Sequence, residues 1–79
     1  MTNLDKYKKI FTETFDIGNS VLEDLEYNKI IEWDSIGHMT LVAAIEEQFK
    51  ITMETDDLID LSSYKKGKQI LSEKYKIEI

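Results

Sequence analysis

The sequence predicts an all-α domain, a small four-helix bundle with three main helices and one short third helix. Three observations carry this prediction. Apolar residues recur at helical spacing in three separate stretches. Proline is absent, so nothing rigid interrupts those stretches. The chain of 79 residues, 42% hydrophobic and 33% charged, has a globular balance and the length of one domain, 1–79. A chain this short buries only about 60% of the surface its unfolded form exposes, so one modest core is expected.

The first helix is set by Leu4, Tyr7, Phe11 and Phe15 on one face, with Ile10 beside them. Thr2 or Asn3 is placed to cap its start, and Gly18 is expected to stop it. No period holds from Gly18 to Asp34, where Leu22, Leu25, Ile30, Ile31 and Trp33 are scattered anchors. That stretch predicts a long loop with at most a helical turn, and long loops in small domains are often functional. The second helix starts at Asp34-Ser35, with Val42, Ile45 and Phe49 as its apolar stripe and Met39 and Leu41 widening it. Thr55-Asp56-Asp57 opens a brief third helix carrying Leu58, Ile59 and Leu61, its acids at the favourable dipole end. Ser62 or Ser63 caps the last helix, whose face is Tyr64, Gly67, Leu71 and Tyr75 with Ile70 alongside. Gly67 on that face predicts a close helix contact. Ile77-Glu78-Ile79 alternates like a strand without a partner.

Composition excludes several classes. There is no cysteine, hence no disulfide scaffold, thiolate zinc site or protein-borne thiol nucleophile. The longest uninterrupted apolar run is Leu41 to Ile45, far below a membrane span, so no membrane association is expected. Met1 to Lys9 lacks the apolar segment of a secretory signal, and a cytoplasmic monomer is the expectation. Ten lysines stand against 16 acids with no arginine, and the pI is near 4.6, which argues against nucleic-acid binding. The charge is uneven: residues 29–60 hold eight acids and two lysines, while 61–79 hold five lysines and two acids. An acidic middle suits a basic protein partner.

The most informative stretch is Trp33-Asp34-Ser35-Ile36-Gly37-His38-Met39. Ser35 stands at a helix N-terminus after a long loop, where free N–H groups and the dipole favour a negative group, including a phosphate ester on the serine oxygen. The plainer alternative is that Ser35 or Asp34 is only the N-cap. The pattern resembles the acyl carrier protein family, whose signature is Asp-Ser followed by an apolar residue at the start of the second helix, here Asp34-Ser35-Ile36. The resemblance runs on through Met39, Leu41-Val42, Ala44-Ile45-Glu46-Glu47, Phe49 and Ile51 to Asp56-Asp57 and Leu61-Ser62-Ser63-Tyr64. Upstream it takes in Leu22-Glu23-Asp24-Leu25 and so covers nearly the whole chain.

The resemblance implies that a phosphopantetheinyl transferase attaches 4'-phosphopantetheine to Ser35, with Asp34 and Ile36 as recognition neighbours. Acyl groups then ride as thioesters on the arm's thiol and are presented to enzymes of fatty-acid, lipid or specialised acyl biosynthesis. The carrier itself is not an enzyme. For docking on basic patches of the transferase and the acyl- or aminoacyl-transferring enzymes, Ile36, Met39 and Ala43 are expected to give apolar contact while Glu46, Glu47 and Asp56 steer. Met39, Leu41, Val42, Ile45, Ile59 and Leu61 are expected to line a space for cargo between the helices. Gly37 and Thr40 stand where many fatty-acid carriers place acids, which makes the stretch more like carriers outside core fatty-acid synthesis.

Two alternatives stand beside this expectation. One is an aminoacyl or D-alanyl carrier loaded by an adenylating ligase, and the other is an unmodified acidic helical adaptor. His38, three residues after Ser35, has the spacing of a Ser–His contact, but a hydrolase dyad would lack a third orienting residue and a sharp nucleophile turn. A partly exposed helix histidine is the expectation. Trp33 is expected to pin the loop onto the bundle. The acids Glu46, Glu47, Glu54, Asp56, Asp57 and Asp60 lack the alternation and central glycine of an EF-hand loop, so no metal site is expected. Lys65-Lys66 with Lys68 reads as a solvated face.

Overall fold

Thr2 begins the first helix with a reciprocal pair of bonds. Its hydroxyl accepts the Asp5 N–H at 3.1 Å and the Asp5 carboxylate accepts the Thr2 N–H at 3.2 Å, which satisfies two of the donors a helix start leaves free. The computed structural model describes every residue from Met1 to Ile79. Its elements in order are α1 (Asn3–Phe15), a 3₁₀ helix (Asn19–Asp24), α2 (Ser35–Phe49), α3 (Thr55–Asp60) and α4 (Tyr64–Lys74). The result is a small all-helical bundle with no strand. No helix is long and apolar enough to cross a membrane.

The core forms where the three apolar stripes meet. Tyr7, Phe11 and Phe15 of α1 are buried against Leu41, Val42 and Ile45 of α2 and Tyr64, Ile70 and Leu71 of α4. Leu22 and Leu25 close it from the 3₁₀ side and Met53 and Leu61 from either end of α3. Trp33 is wholly buried, stacked on Phe15 at 5.3 Å and edge-on to Phe11, so the loop is pinned as its sequence predicted. Gly67 is the close contact expected of it: a Cβ there would collide with the Tyr7 hydroxyl and come within 2.8 Å of Leu61 Cδ1. Tyr7 Oη donates at 2.7 Å to the Tyr64 carbonyl, tying α1 to α4. Burial raises both phenols, Tyr64 to about 12 and Tyr7 well above the ordinary value. The Tyr64 hydroxyl itself is buried with no hydrogen-bond partner.

Four local expectations change. Gly18 does not stop α1; Asp16 does, in the left-handed region at φ 54, and Gly18 instead precedes the 3₁₀ helix with φ −85. The loop is more ordered than its lack of period suggested. Tyr27 N–H donates to the Ser62 carbonyl at 2.8 Å and Tyr64 N–H to the Leu25 carbonyl at 3.0 Å, so its middle is sewn to the entry of α4. Met39 does not widen the core stripe of α2, for it is 55% exposed. Ile31 is not an anchor of the loop, for it is 91% exposed. The tail Ile77–Ile79 has no partner strand, as expected: Ile77 and Ile79 pack on the core, and the Asn3 side chain donates to the Glu78 carbonyl at 3.0 Å.

Candidate functional site

The N-terminus of α2 is capped by Asp34 and not by Ser35. The Asp34 carboxylate accepts the Gly37 N–H at 2.8 Å and its backbone carbonyl accepts the His38 N–H at 2.8 Å. Ser35, the first helical residue, is exposed, and its hydroxyl is left out of the cap. The N–H groups of Ser35 and Ile36 lie in the first turn, where a helix has no internal acceptor for them and its dipole is positive.

Ile36, Met39, Ala43 and Glu47, at i, i+3, i+7 and i+11, form one outward stripe of α2 and all four are exposed. Ile36 is 79% exposed and Ile59, across the gap on α3, is 73% exposed, which leaves an apolar rim around Ser35. Asp56 is exposed in the first turn of α3. Glu46 differs from its neighbour: it is half-buried and its carboxylate accepts the Met53 N–H at 2.8 Å, stapling the end of α2 to the following linker.

Between α2 and α3 lies a hollow of about 380 Å³. Ser35, His38 and Met39 line it from α2, Leu58 and Ile59 from α3, and Leu61 closes it. Met39, Ile59 and Leu61 are therefore where a cargo space was expected, but Leu41, Val42 and Ile45 are not. Those three are spent in the core against α1.

His38 is half-buried and does not meet Ser35. Trp33 Nε1–H donates to its Nδ1 at 2.9 Å, and its Nε2 faces the Leu58 carbonyl at 2.8 Å. With both ring nitrogens engaged elsewhere, the Ser–His dyad has no base, and that reading falls. Tyr27 stands edge-on to both rings, 6.2 Å from Trp33 and 5.4 Å from His38. Gly37 has a packing reason for its identity. A Cβ there would collide with the Glu32 carbonyl and sit 3.3 Å from Phe15, so the returning loop needs glycine at that turn.

The acids of α3 do not act as one group. Asp57 is buried, accepting from Tyr75 Oη at 2.5 Å and Lys74 Nζ at 2.7 Å, and these donors hold its carboxyl below the usual range. Tyr75 Oη in turn accepts the Glu54 N–H at 2.8 Å. Sequence reasoning missed Tyr27, Leu58 and Ser62 at the hollow and Asp57 in its clamp. Tyr27 lies in a stretch without period, and an aspartate among acids on a short helix looks like a solvated one. Compared with known proteins, the chain matches no protein-family model and no curated protein.

Proposed function

We propose that the chain is an acyl carrier protein that takes 4'-phosphopantetheine on Ser35 and presents acyl groups to partner enzymes. The observation that carries this reading is the division of labour at the start of α2. Asp34 closes the cap, so the Ser35 hydroxyl is exposed, has no structural duty and sits on the rim of an apolar hollow. The site fits the group: the first-turn N–H groups of Ser35 and Ile36 suit a phosphodiester, and the hollow beside them suits an apolar chain. When bound, the arm supplies the thiol on which an acyl group is held as a thioester. The chain has no cysteine of its own to do so.

The residues of the chain then divide as follows. Ser35 offers its oxygen to a phosphopantetheinyl transferase, and Asp34 holds the turn that keeps it exposed. Ile36, Met39 and Ala43 make apolar contact with the transferase and the acyl-transferring enzymes, while Glu47 and Asp56 attract their basic patches. Glu46 steers less than its exposed neighbour because its carboxylate is held by Met53. An aminoacyl load would use the same serine, but the apolar lining favours an acyl chain. Incubating the unmodified protein with coenzyme A and a broad-specificity transferase should add the mass of one phosphopantetheine, and Ser35→Ala should abolish it. Addition at another residue, or none with several transferases, would overturn the carrier reading and leave the acidic adaptor.

A further inference from the structure

The hollow beside Ser35 exists only while α3 stays at its present distance from α2, and α3 is short, with six residues. On one side it is anchored to the end of α4 by three hydrogen bonds, from Lys74 and Tyr75 to Asp57 and from Glu54 N–H to Tyr75 Oη. On the other side a single hydrogen bond joins α3 itself to α2, between His38 Nε2 and the Leu58 carbonyl, while the linker before α3 is stapled to Glu46 through the Met53 N–H. The partners of His38 each permit one role. The Trp33 indole nitrogen only donates, so Nδ1 must accept; a carbonyl only accepts, so Nε2 must carry the proton. Trp33 is fully buried and stacked on Phe15, and its ring lies nearly parallel to His38, 6.2 Å away at 15°. The imidazole is thus held by a wholly buried, stacked indole of the core and ties α3 to it.

We infer that His38 is a positioning residue: in its neutral Nε2–H form it links buried Trp33 to the Leu58 carbonyl and latches α3 at the spacing from α2 that creates the hollow beside Ser35. α3 is then hinged along α4 and latched along α2, and the latch edge is the one that faces the hollow. Use of the hollow by a group carried on Ser35 rests on the carrier reading, whereas the latch itself does not.

The test uses the unmodified protein. Imidazole nitrogen shifts at neutral pH should show the Nε2–H tautomer with a bare Nδ1 bonded to the Trp33 indole proton. His38→Leu should speed amide exchange at Leu58 and Leu61 about five- to tenfold, the effect of one lost hydrogen bond, while Phe11 and Ile45 keep their protection. Glutamine matches the reach of Nε2 and asparagine that of Nδ1. His38→Gln should therefore restore protection to α3 without the Trp33 bond, and His38→Asn the reverse. An Nδ1–H tautomer, unchanged α3 exchange in His38→Leu, or equal protection by asparagine and glutamine would each overturn the latch. Should the leucine variant fail to fold, the parent's tautomer and the Gln/Asn pair still decide. A chain that shows this behaviour but accepts no phosphopantetheine loses the carrier reading and keeps the latch; one that is loaded but holds the other tautomer loses only the latch.

Discussion

Two adjoining parts of the bundle, its aromatic core and the face that carries Ser35, are held together by different means. In the aromatic core, Tyr7, Phe11, Phe15, Trp33 and Tyr64 meet in edge, tilted and stacked contacts with centroids 4.9 to 6.1 Å apart, and each is at most 1% exposed. On the face around Ser35, Ile36, Met39 and Ile59 point outward, and α3 is fastened by hydrogen bonds from His38, Lys74 and Tyr75. Burial is non-directional and resists local opening, whereas a few polar bonds break one at a time. The difference separates a part of the molecule that carries stability from a part left free to meet other molecules.

The sharpest way to break the comparison is to remove one large side chain from each part. Phe11→Ala should cost about 3–5 kcal/mol, much of the roughly 4–12 kcal/mol expected for a domain of this size. Met39→Ala should change stability by no more than about 0.5 kcal/mol. Denaturant melts of the two variants check this, and comparable losses would mean that the face around Ser35 is packed after all.

The part fastened by polar bonds should in turn be the acid-sensitive one. Asp57 is held below its ordinary value of 3.8 by its bonds to Lys74 and Tyr75, so its ionised form is favoured by folding. It contributes stability that is present above that ordinary value and lost as pH falls through the lowered one. Asp57→Asn should cost about 1–2 kcal/mol near neutrality, from the weakened bonds to Lys74 and Tyr75, with the Lys74 share reduced by solvent because that side chain is half-exposed. Melting temperature followed against pH should fall less steeply in acid for the variant than for the parent. Parallel curves would show that Asp57 is not the group responsible.

At the start of α2 two neighbouring residues should behave differently. Asp34→Ala removes the cap and should cost about 0.5–2 kcal/mol, whereas Ser35→Ala should stay within about 0.5 kcal/mol. Thermal melts decide between them, and a matching loss in Ser35→Ala would show that the serine shares the cap.

The smallest effect belongs to the rim charges. Glu47→Lys should slow modification of Ser35 at low salt by a factor that corresponds to about 0–1 kcal/mol, and the deficit should shrink as salt rises. Lys65→Glu, on the exposed face of α4, should leave the rate unchanged. If Lys65→Glu altered the rate and Glu47→Lys did not, the docking stripe on α2 would be misplaced.

The sequence made the main helices legible because each buries one stripe, and a stripe imprints its period on the chain. Phe11 and Phe15, Val42 and Ile45, and Ile70 and Leu71 lie inside as their spacing required. The Asp34-Ser35 start was legible for a local reason as well, though which of the two caps was open until the carboxylate was seen on the Gly37 N–H. What stayed hidden depends on residues far apart in the chain. Leu22, Leu25 and Trp33 were legible as anchors, but the order of the loop they hold comes from α1 and α4, so no period announces it. His38 meets Leu58, and Asp57 meets Tyr75, across 20 and 18 positions. Gly18 alone among the glycines misled, for a related reason. The left-handed positions belong to Asp16, Asn28, Lys50 and Lys76, while Gly37 and Gly67 serve close approach.

The lone hydroxyl of Tyr64 shows how much margin the aromatic core has. A buried polar atom without a partner costs about 1–3 kcal/mol, and the residue that bears this one is wholly buried. Phenylalanine would keep the same ring contacts, and the Tyr64 carbonyl that receives the Tyr7 hydroxyl belongs to the backbone and would remain. Natural chains settle above a threshold of stability and rarely at its maximum. A Tyr64→Phe protein melting above its parent would measure that unused margin, whereas one melting below it would mean that the phenol oxygen has a partner in solution.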